Sequence, residues 1–223
     1  MTELSIVIPC LNEADTLADC IRRARAASAD AEIVVADNGS TDASVAIAER
    51  EGARVVRVAE RGYGSALMGG IEAARGELVV MGDADGSYDF GETPRLVERL
   101  REGNELVLGC RLPSGGGRVE PGAMPWLHRR VGNPLLTLLA RRWFGVPVHD
   151  VYCGLRGFRR EHLLALEPRC TGMEFAVEMV VQSALRDARI AEIPITLHPS
   201  GRRSHGPHLR TFRDGWRTLR YFL

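Results

Sequence analysis

Short apolar segments rich in valine and isoleucine alternate with longer amphipathic segments through the first half of the chain. This alternation constrains the fold more than any other feature. The apolar runs are Leu4–Ile8, Glu32–Ala36, Arg54–Val58, Leu78–Met81 and Glu105–Gly109. Buried parallel strands have this composition. The segments between them have helical periodicity and lie at about 15–28, 41–51, 64–75 and 91–101. Such a βαβα series predicts an α/β fold with a mostly parallel central sheet flanked by helices.

The pattern changes after Gly109. A loop of glycine, proline and arginine over 113–122 precedes a predicted helix at 126–144. A further helix is predicted at 175–186 and a late strand at 190–197. We interpret this region as the second half of the same domain.

Composition limits the class of protein. The 223 residues include 29 basic side chains, all arginine, and 29 acidic ones, with 45% hydrophobic residues, which is typical of a soluble globular protein. The longest apolar runs fall short of the roughly 20 residues of a membrane-spanning helix. Five cysteines without CxxC spacing favour neither a disulfide framework nor a zinc site, and no signal peptide is visible. We expect a cytoplasmic protein, and the neutral charge argues against nucleic-acid binding.

Two carboxylates directly follow the fourth predicted strand. Asp83 and Asp85 end the run VVMGDAD, separated by one small residue. Ligands of open α/β sheets bind beyond the carboxyl ends of the strands. Paired carboxylates there can hold a divalent cation through hard oxygen ligands. A capped turn is the alternative interpretation, because aspartate and glycine favour turns.

Polar residues also follow the first three strands. Asp37, after the second strand, is placed to accept the imino proton of a bound base, while Ser40 or its neighbour Thr41 is expected to cap the next helix. Asn12 and Glu13 either contact ribose or base, or form a helix cap. The RGYG turn around Gly64 permits backbone approach to a ligand at a helix N-terminus.

These segments together resemble a known family. IVIPCLNEADTL, VVADNGSTDAS, RGYGSALMGGIEAARG and VVMGDADGSYDF, in this order, resemble the nucleotide-sugar half of family 2 glycosyltransferases with the GT-A (Rossmann-like) fold. The chain is most similar to the branch of dolichyl-phosphate mannose and polyprenyl-phosphate glucose synthases. The resemblance continues through HDVYCGLRGFRR to EIPITLHPSGRRS. It implies a single domain with a donor half at 1–109, an acceptor half at 110–199 and a basic amphipathic segment at 200–223.

The resemblance also implies roles for the strand-end residues. Those expected to bind the nucleotide sugar are Pro9, Asn12, Glu13, Asp37, Gly64 and Asp83. Asp83 and Asp85 would meet ribose, diphosphate and a Mg²⁺ or Mn²⁺ cofactor, with Asp85 the more direct metal ligand and a catalytic residue. The chain departs from many relatives at Tyr63, where they have lysine. It also lacks a glutamine after the paired aspartates, so Ser87 or Asp89 would complete the metal shell.

The acceptor half contains one candidate base and three candidate phosphate contacts. Arg111, Arg202 and Arg203 are expected to bind the acceptor. Asp150 is either a general base for a hydroxyl acceptor or a structural residue paired with Arg156. A phosphate acceptor needs no base, because it is already largely ionised at neutral pH.

The C-terminal segment is strongly basic. From Ser200 onward there are six arginines and one acid, with apolar residues at helical spacing. We expect this helix to bind a membrane surface peripherally or to dock on the domain. Related proteins often continue into transmembrane helices from this point.

The resemblance predicts an inverting transferase that moves a hexose from a UDP- or GDP-sugar to a polyprenyl phosphate. The alternatives are a hydroxyl acceptor with Asp150 as base and a non-catalytic nucleotide-sugar binding module.

Overall fold

Seven strands form the central sheet of the protein in a computed structural model that describes residues 2–206 and 208–223. The strands in chain order are β1 (Leu4–Cys10), β2 (Glu32–Asp37), β3 (Arg54–Arg57), β4 (Leu78–Met81), β5 (Leu106–Cys110), β6 (Arg118–Val119), β7 (Arg156–Arg159), β8 (Ile190–Pro194) and β9 (Thr196–Leu197). The spatial order is β3-β2-β1-β4-β7-β5-β8, and β6 pairs with β9 in a separate ribbon. Only β7 runs antiparallel to its neighbours in the central sheet. The predicted mostly parallel α/β sheet is confirmed.

Helices connect the strands. They are α1 (Leu17–Ala27), α2 (Ser44–Arg50), α3 (Tyr63–Ala73), α4 (Thr93–Arg101), α5 (Asn133–Phe144), α6 (Arg160–Leu166), α7 (Phe175–Leu185) and α8 (Thr211–Phe222). A π-helical turn, His128–Gly132, leads into α5, so the predicted helix at 126–144 is confirmed. Among the described residues, no helix is both long enough and apolar enough to cross a membrane.

The core lies on both faces of the sheet, which explains the continuous apolar runs. Successive side chains of a strand point to opposite faces. Ile6 and Ile8 of β1 pack in one buried cluster with α1, and Val7 packs in the other with α3. The central strands therefore need apolar side chains on both faces. Their carboxyl ends can then carry polar residues into the loops.

Two local predictions, the start of α2 with its cap and the late strand, are wrong for physical reasons, and one strand was missed. Helix α2 begins at Ser44 and not at 41, because the Asp42 carboxylate accepts the Ser44 amide and the Ser40 hydroxyl accepts the Asn12 amide. Neither Ser40 nor Thr41 therefore caps the helix. The late strand is divided into β8 and β9, because its last residues leave the sheet to pair with β6. The antiparallel β7 was not predicted.

Candidate active site

The loops after β1 and β2 are tied together by side-chain hydrogen bonds. The side-chain Oδ1 of Asn12 accepts the Thr41 amide at 2.7 Å, and the Asn12 backbone has a positive φ of 57°. The Asp37 carboxylate accepts the backbone amides of Gly39 and Ser40 at 3.3 and 3.0 Å. Asp37 is the last residue of β2, not the first residue after it. A cleft of about 410 Å³ opens beside it, within the range of ligand sites.

Asn38 organises this cleft, and sequence reasoning missed it. Its side-chain amide donates to the carbonyls of Val58 and Glu60, and its carbonyl oxygen accepts the Gly62 amide. These bonds hold the β3–α3 loop against the end of β2. The only sequence signal was its position beside Asp37.

The paired carboxylates lie directly beyond β4, as predicted. Asp83 accepts a 2.8 Å hydrogen bond from the hydroxyl of Tyr63. Asp85 Oδ1 accepts bonds from the Ser87 amide and hydroxyl at 2.9 and 2.6 Å. Burial is the larger cause that raises the pKa of Asp83 to about 6, and the negative charge of Asp85 is the second. Two neighbouring carboxylates, whose hard oxygen atoms are the ligands that these ions prefer, fit Mg²⁺ or Mn²⁺.

Two other residues named for this site have different surroundings. The Asp89 carboxylate accepts the Gly91 amide at 2.9 Å, and so caps the short helical turn that follows. Gly64 lies against the segment before α7: a Cβ there would lie 2.3 Å from the Cys170 carbonyl oxygen. Close packing against the segment before α7 therefore requires glycine at 64. Its predicted contact with the donor stays a prediction.

The segment at 198–206 folds back over these strand ends. The Gly201 amide donates to the backbone carbonyl of Asp85 at 2.8 Å. Arg202 Nε donates to both carboxylate oxygens of Glu13 at 3.0 and 2.8 Å, and Arg202 Nη1 lies 3.3 Å from Asp85 Oδ2. The backbone amide of Arg203 donates to the Asp15 carboxylate, and Arg203 is exposed. The structure thus brings Arg202, predicted for the acceptor, into the same site as Glu13 and Asp85.

Two histidines that sequence reasoning missed complete this cluster. Ligand atoms of Glu13, His205 and His208 lie within 4.8 Å of one another. His205 Nε2 lies 2.6 Å from the Asn12 carbonyl oxygen, and His208 Nε2 lies 3.0 Å from that of Leu11. Burial favours the neutral form of Glu13, but His208 and Arg202 outweigh it and lower the pKa of that carboxyl. The available signal was the SHGPH sequence, two histidines three residues apart after the arginine pair.

Asp150 and Arg111 form a buried ion pair. Arg111 donates to Asp150 from Nε, Nη2 and its backbone amide at 2.7, 2.8 and 3.0 Å, and Asp150 is fully buried. Pairing of Asp150 with Arg156 is wrong, because Arg156 donates to the backbone carbonyls of Val151 and Cys153. Both oxygens of Asp150 are thus engaged, and its role as a base stays a prediction.

A mostly parallel α/β sheet with a cleft beside β2 and paired carboxylates beyond β4 defines an α/β protein whose polar residues gather at the carboxyl ends of the strands, where ligands of open α/β sheets bind. The family model "Glycosyl transferase family 2" matches residues 5–166. The chain therefore belongs to glycosyl transferase family 2.

Individual relatives agree with this assignment. The chain is 42% identical over 99% of its length to the low-salt glycan biosynthesis hexosyltransferase Agl6 of Haloferax volcanii. It is 40% identical over 75% of its length to the undecaprenyl-phosphate 4-deoxy-4-formamido-L-arabinose transferase of Pseudomonas aeruginosa. It spans about half of these two relatives, 53% and 51%.

A solved structure supports the fold. Glucosyl-3-phosphoglycerate synthase from Mycobacterium tuberculosis, in complex with Mn²⁺, UDP and glucosyl-3-phosphoglycerate, superposes with a TM-score of 0.70 at 27% identity. The similarity covers 91% of this chain and 72% of that one. The predicted GT-A fold is confirmed.

Proposed function

We propose that the protein is an inverting glycosyltransferase that transfers a hexose from a nucleoside diphosphate sugar to a polyprenyl or dolichyl phosphate. The observation that carries this proposal is the Asp83–Asp85 pair beyond β4, at the same edge of the sheet as Asp37 at the end of the parallel strand β2. Support for the lipid acceptor comes from the Pseudomonas relative, whose name includes undecaprenyl phosphate. The reaction would take place at the cytoplasmic face of a membrane, with the protein peripherally bound.

The donor would be held by the strand-end loops. Asp37, Pro9 near the end of β1 and Asn12 in the loop after it would surround the nucleotide base, where a carboxylate can accept an imino proton. Asp83 and Asp85 would hold Mg²⁺ or Mn²⁺, which supplies Lewis-acid neutralisation of the leaving diphosphate. Tyr63 would keep Asp83 oriented through its hydroxyl bond.

The acceptor phosphate would attack the anomeric carbon from the face opposite the diphosphate. A bond forms between a phosphate oxygen and that carbon, and the bond to the diphosphate oxygen breaks, so the configuration inverts. Arg202 already lies between Glu13 and Asp85, and Arg203 is exposed beside it. These two arginines would bind the acceptor phosphate through charge-assisted hydrogen bonds.

Thermal unfolding tests the donor site first. UDP- and GDP-sugars are added with and without Mn²⁺ to the wild type, to Asp85→Asn and to the exposed control Asp30→Asn. Binding to the native state raises the midpoint by mass action. We expect a metal-dependent shift with one nucleotide that Asp85→Asn abolishes and Asp30→Asn retains. Radiolabel transfer from that donor to a polyprenyl phosphate then tests the reaction.

Two outcomes would replace the proposal. A donor shift without transfer to a polyprenyl phosphate, but with transfer to a hydroxyl acceptor, would favour the alternative in which Asp150 is the base. The neighbouring synthase structures with phosphoglyceric acid are one reason to include such an acceptor. Donor binding without any transfer would indicate a non-catalytic binding module.

A further inference from the structure

Two tyrosines lie beside the carboxylate of Asp83. The Tyr63 hydroxyl donates to Oδ1 at 2.8 Å. Tyr88, in the loop after β4, is 3% exposed. Gly154, in the loop before β7, packs against both Asp83 and Tyr88: a Cβ on Gly154 would lie 2.9 Å from Asp83 Oδ2 and 3.2 Å from the Tyr88 hydroxyl oxygen. Both oxygen atoms therefore border the same small volume beside Gly154.

The hydroxyl of Tyr88 has a proton left to donate. A phenol hydroxyl offers one donor and two acceptor lone pairs. The Tyr88 oxygen accepts the Gly154 amide at 2.8 Å and Arg111 Nη1 at 3.2 Å, which uses both lone pairs. Burial raises the pKa of Tyr88 well above its usual value, so the proton is retained at neutral pH. Within residues 2–206 and 208–223, no protein atom accepts that proton.

The neighbouring oxygen of Asp83 lacks a donor. Oδ1 accepts the Tyr63 hydroxyl, whereas Oδ2 receives no hydrogen bond from any residue that the structure describes. Asp83 is partly exposed, and Oδ2 is not sealed from solvent. An unused donor and an unused acceptor thus stand side by side. A hydroxyl group, which can accept one hydrogen bond while it donates another, satisfies both.

The Arg111–Asp150 ion pair holds Tyr88 ready to donate. Three hydrogen bonds to Asp150 fix the Arg111 guanidinium, whose Nη1 contacts the Tyr88 oxygen. A cation that donates to a hydroxyl oxygen polarises the O–H bond, and hydrogen bonds in a chain strengthen one another. The Tyr88 ring is itself packed in the buried core cluster that contains Phe90 and Leu155. The donor is therefore positioned before a ligand arrives.

The place of this pair along the sheet indicates which part of a nucleotide sugar it meets. Asp37 ends β2, and the strands continue in the order β2-β1-β4-β7. Asp83 and Gly154 lie where β4 pairs with β7, two or three strand spacings from Asp37, which is about 10–14 Å. A ribose is bonded directly to the base, whereas the transferred sugar lies beyond the diphosphate. With the base at Asp37 and the cation at Asp85, the pair meets the transferred sugar.

We propose that the Tyr88 hydroxyl and Asp83 Oδ2 together bind one hydroxyl group of the transferred hexose, with Tyr88 donating to it and Asp83 accepting from it. The inference rests on the proposed function, because it requires a nucleotide sugar at the strand ends. Asp83 keeps further lone pairs for a cation. A sugar without this hydroxyl leaves both protein groups unpaired, and sites built on such pairs reject that sugar. Tyr88 is therefore a specificity-determining residue.

Calorimetric titration of the full chain in the presence of Mn²⁺ tests the proposal. The ligands are UDP, UDP-glucose and the four monodeoxy analogues of UDP-glucose. GDP, GDP-mannose and its monodeoxy analogues replace them if GDP is the nucleotide that raises the unfolding midpoint of the wild type. Tyr88→Phe removes only the hydroxyl and keeps the packed ring. Tyr221→Phe, which removes a hydroxyl that contacts Gln182 on α7, is the matched control.

The nucleotide and the nucleotide sugar should respond differently. We expect Tyr88→Phe to bind the nucleotide as tightly as the wild type and the nucleotide sugar about five- to tenfold more weakly, because one hydrogen bond is lost. One monodeoxy analogue should bind the wild type more weakly by a similar factor, with no further loss in Tyr88→Phe, because the two deleted groups are partners. Tyr221→Phe should match the wild type with every ligand.

Three results would overturn the proposal. They are unchanged binding of the nucleotide sugar by Tyr88→Phe, an equal loss for the nucleotide alone, which would place the contact on ribose, and additive losses with all four analogues. Circular dichroism establishes that each variant is folded. If Tyr88→Phe does not fold, equal binding of all four analogues to the wild type is the contradicting result.

The proposed function and this inference fail in different ways. Binding of the nucleotide sugar with the expected Tyr88 effect, but without transfer to a polyprenyl phosphate, would retain this inference and reject the proposed function. Normal transfer and normal donor binding by Tyr88→Phe would reject this inference alone.

Discussion

The carboxylate of Asp83 is held where its own charge is unfavourable. Burial, and then Asp85, raise its pKa to about 6 from the usual 3.8. The native state therefore binds a proton more tightly than the unfolded chain. The contribution of Asp83 to stability is fully present below pH about 4 and is lost as the pH rises through about 6. Such a loss of folding stability at neutral pH is typical of residues retained for ligand binding.

We therefore predict that Asp83→Asn stabilises the protein at neutral pH. The asparagine carbonyl oxygen can still accept the Tyr63 hydroxyl, while the repelled charge is removed. At pH 7.5 the gain should approach about 3 kcal/mol, since each pKa unit corresponds to about 1.4 kcal/mol. At pH 4 the gain should nearly disappear. Urea unfolding at both pH values measures it, and a variant less stable than wild type at pH 7.5 would contradict the assignment.

Arg202 competes with any cation for Asp85. Its Nη1 atom lies 3.3 Å from Asp85 Oδ2, and it also pairs with buried Glu13. We predict that Arg202→Met binds Mn²⁺ several-fold more tightly in the absence of nucleotide, because a positive charge is removed from beside the ligand oxygen.

Calorimetric titration with Mn²⁺ measures this effect, and Arg203→Met, altered at an exposed neighbour, is the matched control. Unfolding of each variant is measured in parallel, because Arg202→Met leaves the Glu13 carboxylate without a strong partner. Weaker Mn²⁺ binding by a folded Arg202→Met protein would show that the arginine does not compete with the metal.

The sequence allowed the strand-end residues to be predicted, but not the contact of Arg202 with Glu13 and Asp85. Asp37, Asp83 and Asp85 follow parallel strands, and the carboxyl ends of such strands meet at one edge. Arg202 is 189 residues from Glu13 along the chain. No local pattern encodes a contact between loops so far apart, and the histidines of the same segment were missed for that reason.

Strands could be predicted from the sequence where both of their faces are buried. The parallel strands β1, β2, β4 and β5 contain continuous apolar runs, whereas β7 has the sequence RGFR and no apolar run. It fits between β4 and β5 because Gly157 lets α4 pack closely, a Cβ there lying 3.1 Å from Leu100. Its Arg156 is fully buried and satisfied by backbone carbonyls. Tertiary contacts, and not local propensity, produce this strand. The division of the chain into a donor half at 1–109, an acceptor half at 110–199 and a C-terminal segment at 200–223 stays a prediction. Strands of both halves belong to the one central sheet.

The Arg111–Asp150 pair joins the end of β5 to the loop before β7. Removing one partner would leave a buried charge uncompensated, so we predict that Asp150→Ala destabilises the protein by about 3–5 kcal/mol. Urea unfolding measures this, with exposed Asp30→Ala as the control. A loss below about 1 kcal/mol would show that the pair is not structural. Asp150→Asn, assayed for transfer in its folded fraction, then separates a structural role from that of a base.

At the scale of the whole molecule, the cysteines are distributed through the interior. Cys10, Cys20, Cys110 and Cys153 are buried free thiols, and Cys170 is partly exposed. Burial raises the pKa of Cys20 and Cys153 to about 12, which suppresses the reactive thiolate. Cys20 Sγ also donates to the Ala84 carbonyl at 3.3 Å, between the paired aspartates. Its accessibility therefore depends on whether the loop beyond β4 stays closed.

We predict that the native protein reacts rapidly with at most one equivalent of a disulfide reagent at pH 8, and with five equivalents in guanidinium. Reaction of fewer than five thiols in the unfolded, unreduced protein would reveal a disulfide and contradict the structure. The slow reaction of the remaining thiols requires local or global opening. Because ligand binding lowers the population of open states, Mn²⁺ with the donor sugar should slow labelling of Cys20, resolved by peptide mass analysis. Cys110 is the last residue of β5, which is separated from β4 by β7, and it serves as the internal reference. Equal slowing of both thiols would mean that the donor stabilises the whole fold and not the β4 loop in particular.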